Sequence, residues 1–162
     1  MSVKSSQPLP AIGWREWIAL PELGITQVKA KIDTGARSSA IHAFDIEPFQ
    51  DRDRHMVRFK IHPLQRDTHQ TVSAEAQLLD RRHVRNSGGH SELRLAILTA
   101  VEIQQQRWAI ELTLTNRDVM GFRMLLGRQA LRGRFVVDPG RSFLLSSRPA
   151  RKKRTSKGII DQ

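Results

Sequence analysis

Apolar residues alternate with polar ones along most of this chain, the period of strands that bury one face. Val28, Ala30 and Ile32 do so ahead of Asp33, and Val57, Phe59 and Ile61 do so between Met56 and His62. Val72, Ala74, Ala76 and Leu78 follow, then Leu93, Leu95, Ile97, Val101 and Ile103 on a shared parity. Trp108, Ile110, Leu112 and Leu114 give the cleanest alternation. Residues 12–20 read as a first strand closed by Pro21-Glu22-Leu23-Gly24, residues 39–44 as a short extended piece, and Phe122, Met124 and Leu126 as a strand running into Gly127. Residues 48–54 read as a charged loop, 85–91 as a flexible loop, 104–106 as a hairpin tip and 128–131 as a short helix. Residues 135–137 and 143–145 are expected as final strands about Asp138-Pro139-Gly140. Many short strands at close spacing, with almost no helical period, predict an all-β barrel or sandwich.

The chain has 162 residues, enough for one domain with a real core. Residues 1–11 are expected as a disordered N-terminus, 12–147 as the domain and 148–162 as a basic disordered tail. Cysteine is absent, which excludes disulfides and thiolate zinc sites. No apolar run approaches the roughly 20 residues of a membrane span, and residues 1–11 lack the apolar region of a secretory leader. A cytoplasmic protein is the expectation. The formal charge of +11 draws anionic partners, whether nucleic acid or acidic peptide. Six basic residues of that excess lie within 148–157.

The six histidines (His42, His55, His62, His69, His83 and His90) have no metal-ligand spacing. Neither a phosphate-binding glycine loop nor a G-x-S-x-G elbow occurs. The aromatics fall at apolar strand positions rather than among the basic residues, which weakens a nucleic-acid barrel. That leaves Asp33, a carboxylate at the end of a buried strand followed by Thr34 and Gly35. Such a turn can hold an acid rigidly toward a cleft, and Asp-Thr-Gly is also an ordinary connection between strands. Peptide hydrolysis needs one carboxyl to activate water and a second to protonate the departing group. Asp138-Pro139-Gly140 has the right lead-in, but Pro139 stands where the hydroxyl residue belongs, and it reads as a turn. A partner for Asp33 would therefore be Asp33 of another copy across a two-fold axis.

The string Lys31-Ile32-Asp33-Thr34-Gly35-Ala36-Arg37-Ser38-Ser39-Ala40, with Thr113-Leu114-Thr115-Asn116-Arg117 and Phe122-Arg123-Met124-Leu125-Leu126-Gly127-Arg128, resembles the retropepsin-like aspartic proteases. Within them it is most similar to the bacterial family commonly labelled "ATP-dependent zinc protease". The resemblance implies a closed β-barrel and an endopeptidase built as a homodimer with one catalytic Asp per subunit. On it Asp33 matches the catalytic aspartate, Thr34 the residue that locks the two active-site loops together, and Gly35, with Ala36 beside it, the loop that supports substrate. Ser87, Gly88, Gly89 and His90 fall where a flap would close. Leu126-Gly127 match the segment bracing the catalytic loop, and Arg128 the basic residue after it. In viral relatives an acidic residue pairs with that arginine. Arg37 stands in its place here, so that pairing cannot form. The zinc and ATP of the label find no ligand set or phosphate loop, and no cofactor is expected. The resemblance also implies a setting beside ATP-grasp ligases that add glutamates to a ribosomal protein tail. Arg37, Arg85, Arg123 and Arg128 near the cleft would suit an acidic substrate. Two other readings stay open: a peptide-binding or regulatory partner of such a ligase that does not cleave, and an RNA-associated basic domain.

Overall fold

The computed structural model describes residues 7–64, 69–85 and 88–147. Among them the chain forms β1 (Ala11–Gly13), β2 (Arg15–Leu20), a 3₁₀ turn (Pro21–Leu23), β3 (Ile25–Asp33), β4 (Ser39–His42), β5 (Phe44–Asp51) and β6 (Arg54–Ile61). β7 (Val72–Arg85), β8 (Ser91–Ile103), β9 (Gln106–Thr115), β10 (Met124–Gly127), α1 (Arg128–Leu131) and β11 (Val136–Asp138) complete it. The fold is all-β with one short helix, as the alternation predicts.

Nine strands make one sheet in the order β2-β3-β10-β4-β9-β8-β7-β6-β5, while β1 and β11 pair in parallel by themselves. β10 lies between β3 and β4, parallel to the first and antiparallel to the second. The sheet curls until Ala19 of β2 meets Glu102 of β8. A register shift between Ile18 and Leu20 turns β2 at that point. The expected closed barrel is thus joined at one residue pair and not along a full ladder. The period-2 rows Val57, Phe59 and Ile61, and Ile110, Leu112 and Leu114, point inward together with Ile97, Met124 and Leu126. Burying a side chain as large as Phe59 contributes several kcal/mol, since Phe→Ala in a core costs about 3–5 kcal/mol.

Five expectations need correction. Of residues 48–54 only Arg52 and Asp53 form the connection: β5 runs through Pro48, which pairs with Val57, to Asp51, and β6 opens at Arg54. β5 is the edge strand, where a missing N–H does no harm to the ladder. Arg85 does not belong to the loop, because β7 continues to it and Arg85 pairs with Ser91. Phe122 lies outside β10, in a turn bridged to Val119. Residues 143–145 form no strand, because the N–H groups of Leu144, Leu145 and Ser146 all donate to the fully buried carboxylate of Glu16, at 3.0 to 3.2 Å. Ala11, placed in the N-terminal segment by the sequence, already pairs with Val136. The basic segment 148–162 and Ser87 lie outside the described residues. Among the described residues no helix is long and apolar enough to cross a membrane.

Candidate active site

Asp33 is the last residue of β3 and stands opposite Gly127 in the parallel pairing with β10. Its Oδ1 accepts the Gly35 N–H at 2.9 Å and its carbonyl accepts the Ala36 N–H at 3.3 Å, so the acid is folded into its own turn. The turn then docks on α1. The carbonyls of Ala36 and Arg37 accept the N–H groups of Arg128 (2.7 Å) and Gln129 (3.2 Å), which as the first residues of a helix have no partner within it. The Gly127 N–H donates to Ser39 Oγ at 3.0 Å, and the Ser39 carbonyl takes the Thr113 hydroxyl at 3.0 Å. Gly127 must be glycine for lack of room: a Cβ there would lie 2.6 Å from the Ser38 carbonyl carbon and oxygen. Arg128 donates from Nη1 to the Thr34 carbonyl at 3.0 Å. Thr34, Leu126, Gly127 and Arg128 therefore buttress the turn and do not line the cleft beside it.

That cleft has a volume of about 1240 Å³. One side carries Asp33, Gly35, Ala36 and Arg37, and the other the β7–β8 hairpin with Arg82, Arg85, Gly88 and His90. Gly89, at φ 82°, makes the hairpin tip. Of the arginines expected near the cleft, Arg37 and Arg85 line it. Arg123 does not. It is buried and donates from Nη1 to Asp118 (2.9 Å) and to His42 Nδ1 (2.8 Å).

The paired charges of the cleft fall on residues that the sequence pattern does not single out. Arg82 of β7 donates from Nη1 and Nη2 to the two carboxylate oxygens of Glu111 on β9, both at 3.0 Å, and from Nε to Asp80 at 3.1 Å. Arg94 of β8 donates to Glu92 at 3.2 and 3.3 Å, and Glu92 also takes the Thr115 hydroxyl at 3.2 Å. The Arg82 hydrogen bond holds the Glu111 carboxyl below its ordinary range. In return Glu111, and after it Asp80, push the guanidinium up. A polar residue at an outward position of each strand was the only signal; the pairing needs the register of three strands. Among the described residues no group of three or more histidine and carboxylate side chains converges as a metal site would.

Residues 11–148 match the model of a family described as "Retropepsin-like aspartic endopeptidase RimB". A probable alpha-L-glutamate ligase of Shewanella pealeana is 44% identical over 137 residues, 85% of this chain and 30% of the relative. Another of that name from Desulfotalea psychrophila is 47% identical over 128 residues, 79% of this chain and 28% of the relative. The chain thus spans less than a third of the curated relatives it matches. In fold it is similar to the crystal structure of Lpg0085, a Legionella pneumophila protein of unknown function (TM-score 0.71, 24% identity, 85% of this chain and 98% of that one).

Proposed function

The chain belongs to the RimB-like family of retropepsin-like aspartic endopeptidases, and on that premise we propose that it hydrolyses peptide bonds with Asp33 as its catalytic acid. The observation that carries this reading is the braced Asp33-Thr34-Gly35 turn at one wall of a cleft that a β-hairpin faces from the other. The working unit is a homodimer in which two Asp33 carboxyls share one proton, because two adjacent carboxylates cannot both ionise cheaply. The ionised member takes a proton from water as its oxygen attacks the scissile carbonyl carbon. The protonated member gives its proton to the carbonyl oxygen. Collapse of the tetrahedral intermediate breaks the C–N bond, and the amine leaves with a proton returned from the pair. Thr34 joins the two loops across the axis, and the hairpin through Gly88, Gly89 and His90 excludes solvent.

The substrate is an acidic peptide, with a glutamate-extended ribosomal protein tail as the leading candidate. The arginines that line the cleft, Arg37 and Arg85 among them, and the relatives named as glutamate ligases support that choice. Asp33→Asn and Asp33→Ala should abolish cleavage of a glutamate-extended peptide while the far-ultraviolet dichroism stays that of the parent. Cleavage at the parental rate by either variant would refute the mechanism. A second reading is favoured by the match of this domain to under a third of proteins named as ligases: a module that grips peptide or ligase without cutting. A protein monomeric at every tested concentration, inert toward the extended peptide yet binding it, would establish that reading instead.

A further inference from the structure

Arg82 and Arg94 are direct partners across the β7–β8 ladder, and both line the cleft. Like charges placed opposite one another destabilise a sheet, so this pairing stands only because each guanidinium has a carboxylate of its own. The two carboxylates are held differently. Glu92 is anchored from a second side by Thr115, whereas Glu111, among the described residues, is hydrogen-bonded to Arg82 alone. Exposure follows the same division: the Glu111 side chain is 43% exposed and that of Glu92 23%. The lining as a whole carries five arginines and four carboxylates, so the charge of the cleft is nearly cancelled from within. The strong net positive charge of the chain is therefore not expressed in this lining, and the fork of Arg82 is already taken by Glu111.

We propose that Glu111 is a built-in competitor occupying the position on Arg82 that a carboxylate of the bound peptide takes. The inference rests on the reading of the cleft as an acidic-peptide site. An entering side-chain carboxylate replaces Glu111 on the Nη1–Nη2 fork of Arg82, the geometry that binds carboxylates in pairs of hydrogen bonds. Arg94, fixed by Glu92, adds positive potential beside it without changing partner. Glu111 then sets a threshold: peptides lacking a suitably placed acid do not displace it, and those with one exchange a carboxylate for a carboxylate. Selection is thereby traded against affinity.

The test uses the full chain carrying Asp33→Asn, so that peptides bind without being cut. Its affinity is measured calorimetrically at about 0.15 M salt, where the Debye length is about 8 Å, for a peptide ending in four glutamates and for the same peptide ending in four glutamines. Adding Glu111→Gln should tighten the glutamate peptide about fivefold, the scale of one exposed ion pair, and leave the glutamine peptide unchanged. Arg82→Gln should remove the preference for glutamate. Glu75→Gln removes an exposed carboxylate that is hydrogen-bonded to Arg58 outside the cleft lining. It controls for net charge and should change neither affinity. If the Asp33→Asn parent prefers glutamate and Glu111→Gln binds it no more tightly, the competitor is overturned while the acidic-peptide reading stands. If the parent shows no preference, that reading falls and the competitor with it.

Discussion

Gly127 is where the smallest change in the molecule should have the largest local effect. The Ser38 backbone passes 2.6 Å from where a Cβ would sit, and backbone cannot swing aside as a side chain can. Gly127→Ala should cost about 1–3 kcal/mol, the range for overpacking a filled site, read as a lower midpoint in urea. Because Asp33 is its register partner, the variant should also lose cleavage beyond what its stability explains. Glu111 gives a second prediction at this scale. Arg82 holds its carboxyl below the ordinary glutamate range, with Asp80 opposing and Arg37 assisting. A carboxyl lowered in the folded state adds stability above its unfolded value and loses it as pH falls through the folded one. The stability difference between parent and Glu111→Gln should be constant near neutrality and shrink on acidification below the usual carboxylate range. A difference that grew on acidification would contradict the assignment.

Among the elements, the segment after β11 depends on one side chain. The buried Glu16 carboxylate accepts N–H groups from Gly13 (2.7 Å), Leu144, Leu145 and Ser146, and the Ser146 hydroxyl at 2.7 Å. Glu16→Gln turns an acceptor-only group into one that presents N–H toward those donors. Leaving buried donors unmet costs roughly 1–3 kcal/mol, and more where the lost partner was charged. We expect a loss of about 3 kcal/mol in chemical denaturation, with faster amide exchange at residues 144–146 than in β9. The strand alternations were legible because they are local. Leu144 and Leu145 read as strand for their apolar character, and nothing nearby announced an acid some 130 positions earlier. There was a hint in β2, where Glu16 shares the inward parity of Ile18 and Leu20. Residues 48–54 misled in the opposite direction: their charge reads as loop, and only the sheet order reveals β5 as an edge strand, where Pro48 is tolerated.

For the whole molecule, what periodicity leaves open is the order of the strands. β10 inserts between β3 and β4, bringing Gly127 beside Asp33 from 94 positions away. Sequence therefore exposed the acid, through the compact Asp33-Thr34-Gly35 turn, and its braces only through likeness to a family. It did not expose Arg82, Glu92, Arg94 or Glu111, whose meeting requires β7, β8 and β9 in one register. The two walls of the cleft are built differently. The Asp33 turn and its flank are fastened by four hydrogen bonds to β10 and α1, whereas the hairpin opposite ends in a glycine tip. The Asp33 wall therefore presents a fixed shape to a guest, set by backbone atoms that a side-chain substitution does not remove. A small-molecule blocker contoured to the Asp33 wall would lean on main-chain contacts, and resistance by single side-chain replacement there would have few routes.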